Sequence, residues 1–260
     1  MNETSNPPQD QAFFLFDTET GGLDPRISPL LSLAGLVLSK DLQETIGFSL
    51  LVKPPEGTVL EVPHPATMGV ENKRKQIAYH VDARTLERTN PTEENFCISA
   101  LAAEINGFVT LTDQGVWDME SPKAWLQHGL ELAEAERTWQ KLLRQSFAAC
   151  PIPVGHNVSF DLKFVRTHMP NLYKDFARDE QGNVLCVDTC AAFRKYRAEE
   201  HKRLKKEDPK VKKGSAKLTD LAQICGYDLK NAHEALADCR ATHAGLLWLK
   251  DQGYFSLSSE

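Results

Sequence analysis

Three stretches of mainly apolar residues lie near the start of the chain. Residues 12–17 are apolar and aromatic-rich and end shortly before Gly21-Gly22, and residues 30–38 are almost continuously apolar. Residues 45–53 alternate between apolar and polar side chains and end at Pro54-Pro55, where a strand would lose backbone donors. Patterns of this length and period predict buried strands. Because the connections between them are short, we expect an antiparallel meander.

Beyond residue 120 the pattern alternates between helices and short strands. A Ser-Pro start at 121–122, followed by large apolar side chains at intervals of seven and four, predicts one long helix over 121–149. In the last helix, Ala237, Ala241, Ala244 and Trp248 are expected to line one face against a sheet. Three strands followed by this alternation indicate an α/β chain with a mixed sheet. The elements predicted here are strands at 152–155 and 184–187, and helices at 158–168, from 188 into the following basic segment, at 218–225 and at 233–250.

Composition narrows the class of protein. Hydrophobic residues make up 41% of the 260 positions and charged residues 25%, which is typical of globular proteins. The longest apolar run is far too short to span a bilayer, and residues 1–11 lack the basic start and apolar centre of a signal peptide. The six cysteines form no CxxC pair, so we expect reduced thiols. These features predict a cytoplasmic protein without membrane contact.

The formal charge of −6 is unevenly distributed. Residues 194–217 contain eleven Lys or Arg and four Asp or Glu, a net charge of +7, so the remaining residues carry −13. Such a run is most often a solvated helix face followed by a loop. In a protein that acts on nucleic acid, the alternative interpretation is a segment that binds the phosphates of the strand. Charge alone leaves both interpretations open.

Acidic residues occur at three places where strands end or helices begin. Asp17 and Glu19 stand two apart at the end of the first strand and therefore point to the same face. Asp161 falls in the first turn of a helix that follows a short strand, and Asp238 lies five residues after His233 in the last helix. Paired carboxylates repel each other unless a cation lies between them, and oxygen ligands favour Mg²⁺ or Mn²⁺.

Each of these three signals is weak when it is taken alone. An Asp-x-Glu triplet is common in surface turns, an Asp in a first turn often pairs with the helix dipole, and a His before a helix is often a surface residue. Asp238 is a stronger signal, because burial of a carboxylate in an Ala-rich helix is energetically costly. Their joint order along one α/β chain favours a shared site.

These segments closely resemble the motifs of the DEDDh 3′–5′ exonucleases, the family of polymerase proofreading subunits, ribonuclease T and oligoribonuclease. FDTETGGLDP at 16–25 resembles the first motif, GHNVSFDLKF at 155–164 the second and HEALADCRAT at 233–242 the third. The resemblance implies a ribonuclease-H-like, mixed five-stranded sheet flanked by helices in a single domain. That domain is expected at 12–252, between a disordered N-terminal tail at 1–11 and a C-terminal tail at 253–260.

The resemblance also implies a chemistry. Asp17, Glu19, Asp161 and Asp238 would hold two Mg²⁺ or Mn²⁺ ions, and His233 would take the proton of the attacking water. The activity implied is metal-dependent 3′–5′ exonucleolysis of single-stranded nucleic acid, DNA favoured, with release of nucleoside 5′-monophosphates. The expected substrate contacts are Thr18, Thr20, Leu23 and Asn157 around the motifs, and Lys205, Lys206, Lys212 and Lys213 in the basic segment.

Two features depart from the family pattern. Glu19 and Asp161 are far apart in sequence, so residues 56–96 are expected to be an insertion, and the basic segment 194–217 is longer than usual. Both bear on the substrate more than on the chemistry. The alternatives are an exoribonuclease of the RNA-trimming or oligoribonuclease type, a non-catalytic nucleic-acid-binding module with the same fold, and a metal-dependent phosphatase of small nucleotides. The sequence carries no signal for a polymerase or repair partner, or for an oligomeric interface.

Overall fold

The structure is a computed structural model that describes residues 12–67, 76–230 and 234–255, together with the backbone of 258–259. Its centre is a mixed sheet in the order β11-β10-β9-β1-β2-β3. Strands β1, β9 and β10 run parallel, whereas β2 and β3 continue antiparallel from β1 as the predicted meander, and β11 pairs antiparallel with β10. The strands are β1 Phe13–Thr20, β2 Leu30–Leu38, β3 Glu44–Leu51, β9 Ile152–Gly155, β10 Leu185–Asp188 and β11 Ser258–Ser259.

The sequence of β1 explains the layers on both faces of this sheet. Side chains alternate along a strand, so Phe14 and Phe16 point to one face and Phe13 and Leu15 to the other. Phe14 and Phe16 pack in a core with α3 (Leu132–Ser146), α4 (Val158–His168) and α5 (Pro170–Lys174). Phe13 and Leu15 pack in a core with α8 (Ala235–Asp251). The sheet is therefore enclosed between helical layers.

Residues 56–96, expected to be an insertion, form a second sheet together with the two residues that follow. Strands β4 (Val59–Pro63), β5 (Ile77–Asp82) and β6 (Cys97–Ile98) form it in the order β5-β4-β6. Its core includes residues of α1 (Ala100–Ile105) and α2 (Glu120–His128). Two further short strands, β7 Thr110–Leu111 and β8 Trp117–Asp118, pair with each other. That 56–96 is an insertion stays a prediction.

The prediction of a single long helix over 121–149 is wrong. The chain forms α2 and α3 with a break at 129–131, where Leu130 pairs its backbone with the end of β3: its amide donates to Leu51 and its carbonyl accepts from Lys53. Trp125 and Trp139 then fill two different cores. The apolar spacing continues across the break, which is why the sequence resembles one helix.

The last helix has the predicted position but a different buried face. Ala237, Ala244 and Trp248 are only half-buried, and of the four predicted residues Ala241 alone is buried. The buried face carries Ala235, Asp238, Cys239, Ala241, Thr242, Gly245, Leu246 and Leu249. Asp238 therefore lies on the side of α8 that faces the sheet.

The next two helices overlap and follow the basic segment 194–217. Helix α6 (Thr189–Glu207) extends into the basic segment, as predicted, and α7 (Leu218–Cys225) ends at Gly226 with a left-handed φ of 77°. All six cysteines are free thiols. Among the described residues, no helix has the length and apolar character needed to cross a bilayer.

Candidate metal centre and adjoining cleft

The three parallel strands bring the motif segments together. Strands β1, β9 and β10 end at the same edge of the sheet, because parallel strands share their direction. The end of β1 carries Asp17 and Glu19, and the pairing of β1 with β2 shifts register between Glu19 and Thr20. Open α/β sheets bind ligands at such carboxyl-terminal edges.

Asp17, Glu19 and Asp238 form an acidic cluster at this edge. One carboxylate oxygen from each lies within 4.8 Å of the others. The alternation of β1 explains the meeting, since Asp17 and Glu19 share the face of Phe13 and Leu15, on which α8 packs. Asp17 and Glu19 are half-buried, and Asp238 is buried.

Asp161 approaches the same strand end from the opposite layer. It lies in the first turn of α4, is 3% exposed and is not part of the cluster of three. Its Oδ1 accepts hydrogen bonds from the Thr18 amide, at 3.0 Å, and from the Thr18 hydroxyl, at 2.6 Å. Thr18 thus joins the end of β1 to α4.

Burial and like charge raise the pKa values of Asp17, Glu19 and Asp161. Burial raises the pKa of Asp17 well above its ordinary value, and the carboxylates of Asp161 and Glu19 raise it further. Burial also raises the pKa of Glu19, and the charges of Asp238 and Asp161 raise it further. Burial also raises the pKa of Asp161, although the hydrogen bonds from Thr18 act in the opposite direction. Without a cation, the site therefore favours protonated carboxyls.

The cluster fits divalent cations. All of its donors are oxygens, which suits Mg²⁺ or Mn²⁺. Within the described part of the chain, no Lys or Arg pairs with Asp17, Glu19 or Asp161. Among the neighbouring charges, Asp161 acts most strongly on Asp17, and Asp238 most strongly on Glu19. His233, the fifth residue predicted for this site, lies outside the described residues.

A cleft of about 590 Å³ opens beside Glu19. One wall is the loop after β1, where Leu23 is 86% and Ile27 54% exposed. The other wall is α1, through Leu101 and Ile105. Two apolar walls beside an acidic cluster suit a molecule with a flat apolar part and a charged part.

The predicted contacts Thr18 and Thr20 line the cleft, although both residues are largely buried. Thr18 donates to Asp161, and the Thr20 hydroxyl donates to Gly22 O at 2.7 Å. Asn157 is exposed with a left-handed φ of 73°, and its backbone N–H donates to Asp188 Oδ1. Of the four predicted contacts around the motifs, Thr18, Thr20 and Leu23 line the cleft, and Leu23 is the most exposed of these three.

Sequence reasoning missed the residues that hold the cleft wall in place. Asn106 is buried at the end of α1, and its side-chain amide donates to Thr20 O at 2.9 Å. The same side chain accepts the Phe108 amide at 3.0 Å. Ser99 caps α1, and its own amide donates to Gly21 O. The local signal for this tie is an Asn just before Gly107, at the end of a helix.

The basic segment 194–217 folds back toward this edge of the sheet. Among its eleven cations, Arg197 alone pairs with a described carboxylate, Glu200 at 2.8 Å. The carbonyl of Ala216, near the end of the segment, accepts from His156 Nε2 at 3.0 Å and from Cys190 Sγ at 3.4 Å. Burial lowers the pKa of His156, so the ring is neutral at pH 7. The predicted contacts Lys205, Lys206, Lys212 and Lys213 are all exposed.

Comparison with known proteins finds exonuclease I among solved structures. A structure of E. coli exonuclease I with a dT13 oligonucleotide matches with a TM-score of 0.57 and 19% identity, over 93% of this chain and 41% of that chain. A zinc-bound E. coli exonuclease I–ssDNA complex gives 0.57 and 19%, over 94% and 41%. A moderately thermophilic exonuclease I from Methylocaldum szegediense gives 0.56 and 20%, over 93% and 41%.

The chain thus spans about two fifths of the length of these structures. No protein-family model matches the sequence, and no curated protein matches it. At such low identity the likeness establishes the architecture. The chain has the ribonuclease-H-like fold of exonuclease I, which confirms at the level of the fold the resemblance to the DEDDh exonucleases.

Proposed function

We propose that the protein is a divalent-metal-dependent 3′–5′ exonuclease that shortens single-stranded DNA and releases nucleoside 5′-monophosphates. The observation that carries the proposal is the group of Asp17, Glu19 and Asp238, whose carboxylate oxygens meet within 4.8 Å at the edge of the cleft. DNA is favoured because the solved structures with this fold include complexes with dT13 and dA16 oligonucleotides.

The four acids Asp17, Glu19, Asp161 and Asp238 would hold the cations. Bound divalent cations would supply activation of a water molecule and stabilisation of the leaving 3′ oxygen. Leu23 and Ile27 would contact the terminal nucleotide from the loop wall, and Leu101 and Ile105 from the helix wall. These contacts orient the last phosphodiester toward the acids, which is the main contribution of a protein to phosphoryl transfer.

His233 would take the proton from the attacking water, as its position in the third motif implies. A histidine acts as a base only when it is neutral, so the rate of the chemical step should rise with pH through the pKa of His233. The measurement is single-turnover cleavage from about pH 6 to pH 9, with His233→Gln as the comparison. A pH-independent chemical step in the parent protein contradicts this role.

The activity is tested with product ladders from 5′-labelled single strands. We expect stepwise shortening of DNA with Mg²⁺ or Mn²⁺, mononucleotide 5′-phosphates as products, and no reaction with chelator. Asp238→Asn should lower the rate by about 10²-fold or more, because it removes one charge from the cluster. Thermal unfolding of the variant, compared with the parent, shows whether the fold is kept.

The same assay separates the alternatives. RNA run beside DNA of the same sequence reports the sugar preference, and faster shortening of RNA would make the protein an exoribonuclease. Binding without any shortening, under every metal tested, would leave a nucleic-acid-binding module. Hydrolysis of mononucleotide esters without strand shortening would make it a phosphatase.

A further inference from the structure

We propose that Thr18 is a positioning residue, which holds the Asp161 carboxylate in the orientation needed to bind a divalent cation. Thr18 lies between two acids of the proposed metal site, and its amide and hydroxyl both donate to Asp161 Oδ1, at 3.0 and 2.6 Å. The inference rests on the proposed metal site, and it gives Thr18 a role different from contact with the substrate.

The alternation of β1 directs the Thr18 side chain to its partner. Thr18 shares the face of Phe14 and Phe16, which pack in the core that contains α4, whereas Asp17 and Glu19 point toward α8. Asp161 is the acid that α4 brings to this edge. The Thr18 hydroxyl is thus the side-chain link between the strand that carries two of the acids and the helix that carries the third.

The geometry is that of a strong, charge-assisted contact. An O–H···O⁻ distance of 2.5–2.7 Å is typical of a hydroxyl bound to a carboxylate. Thr18 is 7% and Asp161 3% exposed, so water competes little for either group. With Oδ1 bound to Thr18, Oδ2 would be the oxygen that Asp161 offers to a cation. Partners that fix metal-binding side chains in this way typically change metal affinity by about 10–100-fold when they are removed.

A contact with the substrate is the competing role for Thr18. Thr18 is one of the residues that line the cleft, but both of its donors are directed at Asp161, and it is largely buried. The two roles predict different measurements, because Mn²⁺ can be titrated in the absence of nucleic acid.

The test is Mn²⁺ binding to Thr18→Val, Thr18→Ser and the parent protein, by calorimetry or electron paramagnetic resonance, without nucleic acid. Thr18→Val should weaken Mn²⁺ binding by about 10-fold or more, and Thr18→Ser should stay within about threefold of the parent because it keeps the hydroxyl. Thr20→Val is the matched control. It removes a buried hydroxyl from the same strand, one that bonds within its own loop, and should leave Mn²⁺ binding unchanged.

A double-mutant cycle connects the effect to Asp161. In an Asp161→Ala background, Thr18→Val should cause no further loss of Mn²⁺ affinity. If Thr18→Val does not fold, Thr18→Ala against Thr18→Ser makes the same comparison, and thermal unfolding in chelator monitors each variant.

Parent-like Mn²⁺ binding by Thr18→Val overturns the proposal, and a raised KM for the strand at unchanged Mn²⁺ affinity would assign Thr18 to the substrate. Equal losses in Thr18→Val and Thr20→Val would also overturn it, since the effect would then be structural. Failure of the exonuclease proposal itself would show in the ladder assay, whereas these titrations contain no substrate. The two ideas therefore stand or fall on separate data.

Discussion

At the scale of single residues, crowded carboxyls should make the stability of the protein depend on pH and on divalent cations together. The pKa values of Asp17, Glu19 and Asp161 are raised, chiefly by burial. Between the ordinary carboxyl pKa, near 4, and these raised values, the folded state keeps protons that the unfolded state has released, so its stability falls as pH rises. Cations compete with those protons and should offset the loss.

The gain in Tm from Mg²⁺ over chelator should therefore widen from about pH 5.5 to pH 8, to roughly 5–10 °C at a hundredfold excess over Kd. Calorimetric unfolding at each pH measures it. Asp17→Asn should shrink the gain, whereas Asp41→Asn, the same charge change at an exposed position, should not. Burial also lowers the pKa of His156 and His168. Both histidines contribute equally to the Tm measured with Mg²⁺ and with chelator, so their effect cancels in the difference. A gain that is constant across this range contradicts the expectation.

At the scale of elements, the sequence predicts the strands and helices whose buried residues recur at a regular spacing along the chain. Strand β2 occupies the predicted 30–38 because every residue in it is buried, and α4 occupies the predicted 158–168. The break between α2 and α3 was missed because its cause, the pairing of Leu130 with the end of β3, joins positions far apart in sequence. Apolar spacing indicates which face is buried but not where the backbone leaves the helix.

The buried face of α8 and the sheet of β4, β5 and β6 were not predicted for the same reason, since both depend on contacts between distant parts of the chain. Small residues are spread around α8, so composition alone did not identify the side that faces the sheet, which carries Asp238. Strand β5 is an edge strand in which Ile77, Tyr79 and Val81 alternate with small or polar residues, but of these three only Val81 is buried. Both features are set by neighbouring elements.

At the scale of the whole molecule, the sequence indicates the residues of the candidate site better than their contacts. Asp17, Glu19 and Asp238 were predicted from motif spacing, and they come together as a cluster. The hydrogen bond between Thr18 and Asp161 spans 143 positions, and the tie between Asn106 and Thr20 spans 86. No local pattern reports such pairs, since they exist only once the sheet and its helices are assembled.

The distribution of charge is also a property of the whole molecule, and it bears on how a strand would be held. The segment 194–217 carries +7 on a body of −13, and ten of its eleven cations pair with no described carboxylate. Its end is fastened through Ala216 to His156, five residues before Asp161. A phosphate backbone that leaves the cleft would therefore find its strongest attraction along this segment.

Changing Lys205, Lys206, Lys212 and Lys213 to Gln should weaken binding of single-stranded DNA and make it less sensitive to salt. Each phosphate contact on a single strand contributes about 0.7 to the slope of log K against log salt, so the loss of four should flatten it by up to about 3. Fluorescence anisotropy over a salt series, with chelator to prevent cleavage, measures both quantities. Gln at Lys40, Lys123, Lys141 and Lys174 makes the same charge change on other surfaces and should have a smaller effect on the slope. Equal slopes for the two variants would mean that the protein attracts the strand through its total charge, and that the segment is a solvated surface.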